Sequence, residues 1–120
     1  MARNAYRAIR TYEAGMDDVF GYCISALTEI GARVRRKDPN VGKIEASVGW
    51  HLFIGPPYRF DVTVKPISPD QTKVTVASRS TIRTQFDWGR NKRNVTKFLE
   101  NMDFIMNRIA VARGTSAVQE

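Results

Sequence analysis

Three segments in the middle of the 120-residue chain, 42–51, 58–66 and 72–83, alternate apolar with polar residues. A period of two is typical of a β-strand that buries one face and exposes the other. Turn-forming residues separate these segments, and Pro66 is expected to end the second of them. The pattern therefore predicts a meander of antiparallel strands whose apolar side chains all point to one side of the sheet.

Two segments have the helical period needed to cover that apolar side. Residues 16–30 place their apolar side chains on one helical stripe, and Gly31 stands where a helix-ending glycine belongs. Residues 88–112 repeat the pattern over a longer span, with Asp87 as a suitable N-cap. Phe104 falls on the polar side of this second helix, which is unexpected for a large apolar side chain. Both helices are expected on the same face of the sheet.

Two further strands, at 5–13 and 32–38, complete the order β-α-β-β-β-β-α. The order predicts an α+β fold in which an antiparallel sheet carries two helices on one face. It resembles the TATA-binding-protein-like and helix-grip group of folds. We expect a single domain over residues 1–112, followed by a disordered C-terminal tail at 113–120.

Composition and charge narrow the functional classes. The chain has 19 Lys and Arg against 12 Asp and Glu, and no apolar run reaches the ~18 residues of a membrane span. The N-terminus lacks the apolar stretch of a secretory signal, so we expect a cytoplasmic protein without a membrane span. The only cysteine, Cys23, cannot form an internal disulfide, and a lone histidine, His51, cannot make a multi-histidine metal site. We expect no enzymatic activity, no metal and no cofactor.

Four spaced motifs resemble an uncharacterised family of bacterial and plastid proteins. They are G-K-I-E-A at 42–46, F-D-V-T-V at 60–64, V-A-S-R-S at 76–80 and D-W-G-R-N at 87–91. In this order they are similar to the family catalogued as domain of unknown function fourteen ninety-nine. The chain departs from that family at Thr81, where a second arginine would stand, and Arg83 follows two residues later. The resemblance supports the fold and implies no known activity or cofactor.

A polar constellation lies where the last strand leads into the second helix. Its members are Ser78, Arg79, Ser80, Arg83, Asp87 and Asn91. A short loop should bring these side chains near the exposed N–H groups of the helix start, which can bind an anion. The alternative is structural, with Asp87 capping the helix and Asn91 bonding the loop backbone. Arg79 would then pair with Asp61 or Glu45 on a neighbouring strand.

An apolar segment between two of the strands is the other candidate site. The candidate ligand or partner contacts are five residues of this segment and one residue of the second helix. They are Trp50, Leu52, Phe53, Ile54 and Tyr58, with Phe98 from the helix. The segment either folds back onto the core or projects as a patch for a protein partner, a second copy of the chain, or a ligand entrance. The leading hypothesis is a non-enzymatic binding domain. It would hold an apolar or amphipathic ligand, or a protein partner, at loop 50–58 and the mouth between the sheet and the second helix.

The formal net charge of +7 favours a second hypothesis, a nucleic-acid or other polyanion binder that uses the polar face of the sheet. That face is net basic, but it includes two carboxylates and lacks the aromatic residues that stack on bases. A positive field speeds encounter with any polyanion without conferring specificity. Nucleic acid is therefore the alternative partner.

Overall fold

A computed structural model describes residues 5–48, 58–80 and 89–112. The elements in chain order are β1 (Ala5–Tyr12), α1 (Met16–Glu29), β2 (Arg33–Asp38), β3 (Lys43–Val48), β4 (Tyr58–Ser68), β5 (Gln71–Ser80) and α2 (Arg90–Ala112). The described strands form one antiparallel sheet in the order β1-β5-β4-β3-β2. The predicted α+β fold is thus confirmed. A single domain over 1–112 stays a prediction, and the expected tail at 113–120 lies outside the described residues.

The inner face of the sheet, which the two helices cover, is a layer of buried apolar side chains. Residues that pair directly across antiparallel strands share a face, so Ile44, Val62 and Val76 form one row across three strands. From above, α1 buries Cys23 and Leu27 in this layer. Buried residues of α2 complete the core: Val95, Phe98, Leu99 and Met102. The alternation in the sequence therefore predicted which side chains build the interior.

Strand β1 lies at the sheet edge, and its register with β5 fixes a facing that the sequence leaves open. Ala8 pairs with Val76, so the even-numbered residues of β1 point inward. Arg10 shares that side, where Nη1 of its guanidinium donates to Oδ1 of Asp103 on α2 at 3.3 Å. Ile9 points outward and is half exposed. An ion pair thus joins the edge strand to the second helix.

Strand β4 extends beyond the residue predicted to end it. Pro66 pairs with Thr72, and the strand continues to Ser68 through an irregularity in register. The N–H of Val64 points towards β3, where it donates to the carbonyl oxygen of Gly42 at 2.7 Å. Pro66, two residues later, faces the same side but lies beyond Lys43, the first residue of β3. Its missing N–H therefore costs the sheet no hydrogen bond with β3.

Gly42 lies in the turn between β2 and β3, where the backbone passes close to β4. Its φ of 77° is in the left-handed region that favours glycine. A Cβ at this position would collide with the carbonyl oxygen of Val64 and crowd the side chain of Met16. The glycine therefore permits the close approach of two backbones.

Helix α2 begins at Arg90 in the described residues, and the predicted N-cap Asp87 lies outside them. The outward position of Phe104 is confirmed, because its side chain is 59% exposed and the Arg108 guanidinium lies 5.6 Å from its ring centroid. Neither helix in the described ranges has both the length and the hydropathy to cross a bilayer.

Candidate functional site

Most of the described space between the sheet and α2 is filled by side chains. The rings of Phe60 and Phe98 meet edge to face with centroids 6.2 Å apart, and both residues are fully buried. Val95 and Met102 on the same helix are also fully buried. Since a void that admits water would leave some of this surface exposed, none touches Phe60, Phe98 or Met102, whereas a groove of about 260 Å³ between β1 and α2 reaches Val95. Phe98, a predicted ligand contact, is placed in the packed core.

We name one end of the sheet the mouth end and define it by Val48, Tyr58 and Ser80. The register places these three residues side by side on the inner face, where β3 and β5 stop and β4 begins. Tyr58 is buried, whereas Val48 and Ser80 are partly exposed. Residues 49–57 connect β3 to β4 here. Four predicted contacts belong to that segment and lie outside the described residues: Trp50, Leu52, Phe53 and Ile54.

A buried polar network joins β5 to α2 at the level of Phe60. Ser78 Oγ donates to Oδ1 of Asn91 at 2.7 Å and accepts from Nδ2 of Asn94 at 3.4 Å. Ser78 and Asn91 are fully buried, as is Thr72 further along β5. Ser80 Oγ is also shielded from solvent and, like the hydroxyl of Tyr12, has no hydrogen-bond partner in the described part of the chain. A buried hydroxyl without a partner is rare in folded proteins and calls for an explanation.

The structure divides the predicted polar constellation between the two faces of the sheet. Ser78, Ser80 and Asn91 lie on the inner side, and only the first and third of them are joined by a hydrogen bond. Arg79 points outward, with Nε 3.9 Å from Oδ2 of Asp61, the partner given by the structural alternative. Arg83 and Asp87 lie outside the described residues.

Asn94 is a network member that the sequence analysis missed. It lies one helical turn after Asn91, so both amides project from the same side of α2. Two asparagines three residues apart, on the face that packs against a strand containing serines, are the sequence signal that could have identified it.

The outer face of the sheet, on the side away from the helices, carries nearly all of the excess positive charge. Cross-strand register and the hydrogen bond from Arg35 to Ser47 assign nine cationic and three anionic side chains of the described residues to it. The outer face therefore has a net charge of +6, which equals the net charge of all the described residues together. The cations are Arg7, Arg33, Arg35, Arg36, Lys43, Arg59, Lys65, Lys73 and Arg79, and the anions are Asp38, Glu45 and Asp61.

Four of these cations line up across the sheet at the mouth end. We name Arg33, Arg35, Arg59 and Arg79 the arginine row. Arg59 is paired directly with Arg79 on one side and with Ser47 on the other, and Ser47 is paired with Arg33. Arg35 joins the row through its Nε, which donates to Ser47 Oγ at 2.9 Å.

Two carboxylates compensate part of the charge of the arginine row. Arg59 lies 3.3 Å from Oε1 of Glu45 and 3.4 Å from Oδ1 of Asp61. Both carboxylates belong to the next row of the outer face, further from the mouth end. At the opposite end of the same face, Lys65 and Lys73 lie directly across from each other. Like charges in that position destabilise a sheet, so this lysine pair lowers the stability of the folded chain.

A groove of about 530 Å³ runs between α1 and the C-terminal half of α2. Its lining residues are Tyr22, Ser25, Glu29, Asn101, Phe104, Ile105, Arg108, Ile109 and Ala112. The neighbouring interior holds Cys23, and burial raises the pKa of its thiol to about 12. The thiol is therefore protonated and unreactive at neutral pH.

No family model matches the chain, and no curated protein matches it in sequence, so the family resemblance seen in the motifs is not confirmed. Solved structures do match. The ZhuI aromatase/cyclase from a Streptomyces species is 12% identical, with 92% of this chain and 98% of that one covered and a TM-score of 0.63. An uncharacterised protein from Bacillus thuringiensis is 9% identical over 85% of this chain and 98% of its own, with a TM-score of 0.60.

A third similar structure is the di-domain aromatase/cyclase StfQ from the steffimycin biosynthetic pathway. It is 13% identical and has a TM-score of 0.58, and the match covers 90% of this chain but 47% of that one. At these identities the likeness establishes architecture alone. The chain has a helix-grip fold.

Proposed function

We propose that this protein is a non-enzymatic binding domain that holds an apolar or amphipathic ligand, or a protein partner, at the mouth end. The predicted contact loop 50–58 would contribute the apolar rim of the site, and Tyr58 its floor. We also propose that the protein is cytoplasmic and that a second copy of the chain can be its protein partner. The same proposal includes membership of the resembled family.

The observation that carries this proposal is the change in polarity along the inner face. Along β5 the inner face changes from the buried Val76 to Ser78, which is paired with Phe60, and then to Ser80, whose shielded hydroxyl has no partner in the described residues. Binding sites for small molecules are mostly apolar and contain a few polar groups that orient the ligand. An amphipathic ligand at the mouth end would supply the hydrogen bond that Ser80 lacks.

The structural neighbours bear on this proposal only through the fold. Two of them are aromatase/cyclases by name, so a similar architecture does support enzymes. In this chain, the described polar groups of the mouth end and of the Ser78 network are hydroxyls and amides, which bind and orient but do not readily transfer protons at neutral pH. Their chemistry favours binding over catalysis.

The test measures the affinity of the fluorescent probe 1-anilinonaphthalene-8-sulfonate for the native protein and two variants. We expect Phe53→Ser to weaken probe binding while leaving the free energy of unfolding unchanged, because Phe53 would form part of the rim. The control is Phe104→Ser in the groove between the helices, which should leave the affinity unchanged. Destabilisation by Phe53→Ser without a selective loss of affinity would place Phe53 in the core and remove the basis of the proposal.

The polar side of the proposed site is tested separately at Ser80. Ser80→Ala removes the hydroxyl without adding bulk. We expect it to weaken the binding of an aliphatic alcohol or ketone more than that of the hydrocarbon of equal length, because only the polar ligand hydrogen-bonds to the hydroxyl. An equal effect on both ligands would show that Ser80 does not orient the ligand.

The alternative function, binding of nucleic acid or another polyanion, is favoured by the net +6 of the outer face. Phosphate contacts of that kind weaken steeply as salt is added. The described outer-facing residues include no aromatic side chain, so base stacking would have no platform there. Absence of DNA or RNA binding at low salt would exclude nucleic acid as the partner.

A further inference from the structure

We infer that two copies of this chain associate through strand β1, so that their two five-stranded sheets join into one continuous antiparallel sheet. The inference goes beyond the proposed function, which places a partner at the mouth end. Strand β1 forms a lateral edge of the sheet instead, where an added strand extends the sheet through backbone hydrogen bonds.

The first support is the direction of the backbone groups of β1. Successive residues of an antiparallel strand direct their N–H and C=O groups to opposite sides. Val64 is bonded to Gly42 on the side of β3, so the odd-numbered residues of β4 bond to β5, and the even-numbered residues of β5 bond to β1. The odd-numbered residues of β1 therefore point to the free edge, and they are Ala5, Arg7, Ile9 and Thr11. Within the described ranges, no backbone hydrogen bond covers this edge.

The second support is a difference between the two edges of the sheet. Native proteins protect edge strands from pairing with charged side chains and bulges, and β2 has both. Five of its six residues are charged, and its register with β3 shifts between Val34 and Arg36. Strand β1 has eight residues, of which two are charged, and it pairs with β5 without a shift. The edge at β1 is therefore the one open to pairing.

The pattern of charges in β1 suits pairing with a second copy of itself. Around a twofold axis, odd-numbered residues face odd-numbered residues, because only these have backbone groups at the free edge. An axis at Ile9 places the two Ile9 side chains, each 52% exposed, against each other on the outer face. It also sets Arg7 opposite the partner's Thr11, so the paired strands place no arginine opposite an arginine.

Other twofold axes fit this strand less well. An axis at Arg7 or at Arg10 would set two arginines directly opposite each other, and like charges in that position destabilise a sheet. An axis at Ala8 would place Ile9 opposite an arginine, and an axis at Thr11 would pair only the second half of the strand. Ile9 is therefore the expected centre of the interface.

The inner side of the same edge adds a charge contact between the two copies. Ala8 and Glu100 line the groove of about 260 Å³ between β1 and α2. With the axis at Ile9, the partner's Arg10 lies directly opposite Ala8, at the margin of this groove. Asp103 pairs with Arg10 of its own chain, whereas Glu100 has no ion pair among the residues that the structure describes. The second copy therefore brings a guanidinium towards an uncompensated carboxylate.

Association through β1 should end at the dimer. Both open edges are used in the interface, and the joined sheet then ends in the charged β2 of each copy. An interface in which the same patch of both copies meets around a twofold axis is closed and does not build fibres. The expected species has twice the 13.6 kDa mass of the chain.

Sedimentation equilibrium of the full chain measures this mass. We expect the native protein to be dimeric at about 0.1 mM, and Ile9→Lys to be monomeric because it sets two lysines opposite each other at the axis. The matched control is Ile67→Lys, since Ile67 on β4 is 54% exposed and lies outside the interface. It makes the same change of charge and should remain dimeric.

Cross-linking tests the register. Ile9→Cys should form an intermolecular disulfide under mild oxidation, because directly paired residues have Cα atoms about 5.5 Å apart. Thr11→Cys is the control, since the two copies of that residue would be about 14 Å apart, too far for a disulfide. The buried Cys23 of both variants should not react.

Hydrogen exchange separates loss of the dimer from loss of the fold. In Ile9→Lys, the amides of Arg7 and Thr11 should exchange at least about tenfold faster than in the native protein, because their partners in the second copy are gone. The amides of Ala8 and Arg10 should keep their protection, since they are bonded to β5.

Four outcomes would overturn the inference. They are a native mass of 13.6 kDa at every concentration, equal dissociation of Ile9→Lys and Ile67→Lys, cross-linking through Thr11→Cys rather than Ile9→Cys, and a dimer that only Phe53→Ser dissociates. The last of these would place the second copy at the mouth end. The inference and the proposed function fail separately, because probe binding by a monomer refutes the dimer alone and a β1 dimer without probe binding refutes the function alone.

Discussion

The two faces of the sheet are built from alternate residues of the same strands and differ in what fixes them. On the inner face, Phe60 and Val62 are buried to 1% exposure or less, and each packs against neighbours from other elements. On the outer face, the next residues along β4 are Arg59 and Asp61, which contact only partly exposed partners. Packing therefore determines the inner residues, whereas the outer residues are free to hold charge at some cost to stability. Substitutions on the two faces should differ in size and in sign.

The largest effect is expected from Phe98→Ala on the helix that covers the inner face. The substitution removes a fully buried ring and its edge-to-face contact with Phe60. Loss of a buried phenylalanine costs about 3–5 kcal/mol of unfolding free energy. Urea denaturation of the native protein and the variant measures the difference, and Phe104→Ala on the exposed side of the helix is the control. A loss below ~1 kcal/mol would mean that Phe98 borders an open cavity.

A smaller loss of unfolding free energy is expected at Gly42, where the turn between β2 and β3 lies against the backbone of β4. Gly42→Ala would place a methyl group against the carbonyl oxygen of Val64, at a residue whose φ is 77°. The left-handed conformation alone lowers the free energy of unfolding by about 1–2 kcal/mol. The backbone shift that relieves the collision lowers it further, for a total loss of about 2–4 kcal/mol. Gly31→Ala is the control, because its φ is 84° but a Cβ there meets nothing within 4 Å. Equal losses in both variants would show that the close approach to β4 contributes nothing.

Alkaline pH should lower the free energy of unfolding, because it favours ionisation of the Cys23 thiol. Burial raises the pKa of this thiol to about 12 in the folded chain, against about 8.5 in an unfolded one. The contribution of the protonated thiol to the free energy of unfolding is complete below pH ~8.5. It is lost as the pH rises towards 12, at up to ~1.4 kcal/mol per pH unit. Between pH 8.5 and 10 the native protein should lose about 1.5 kcal/mol more than Cys23→Ala. Parallel pH profiles of the two proteins would contradict the buried, protonated thiol.

Sequence periodicity predicted which residues of each strand share a face, but not which residues are neighbours across the strands, for a physical reason. Alternation identifies which residues of one strand share a side, and this was sufficient to place Val62 and Val76 in the core. The same alternation separates Arg79 from Ser78, yet their closeness in the chain grouped them in one predicted site. Cross-strand neighbours such as Lys65 and Lys73 depend on register, which is set by packing and turn geometry across many residues.

The inward facing of β1 was beyond sequence reasoning for a related reason. It places Arg10 beside Asp103, and these two residues are 93 positions apart in the chain. Nothing in the local pattern of β1 indicates that contact. The unpartnered hydroxyl of Ser80 is likewise visible only once the strands and α2 are assembled. Contacts between distant segments therefore supply the part of the candidate site that local patterns omit.

The smallest expected effect is opposite in sign and lies on the outer face. Lys73→Glu replaces a like-charged pair with Lys65 by an oppositely charged one, because the two positions are directly paired between β4 and β5. Cross-strand pairs of this kind contribute about 0.2–1 kcal/mol, so the variant should be more stable than the native protein. Lys73→Gln, which only removes the repulsion, should show a smaller gain. Both gains should shrink in about 1 M salt, since these side chains are exposed. Denaturant unfolding at low and high salt measures them, and a loss of stability at low salt would mean that Lys73 has a favourable anionic neighbour in the native protein.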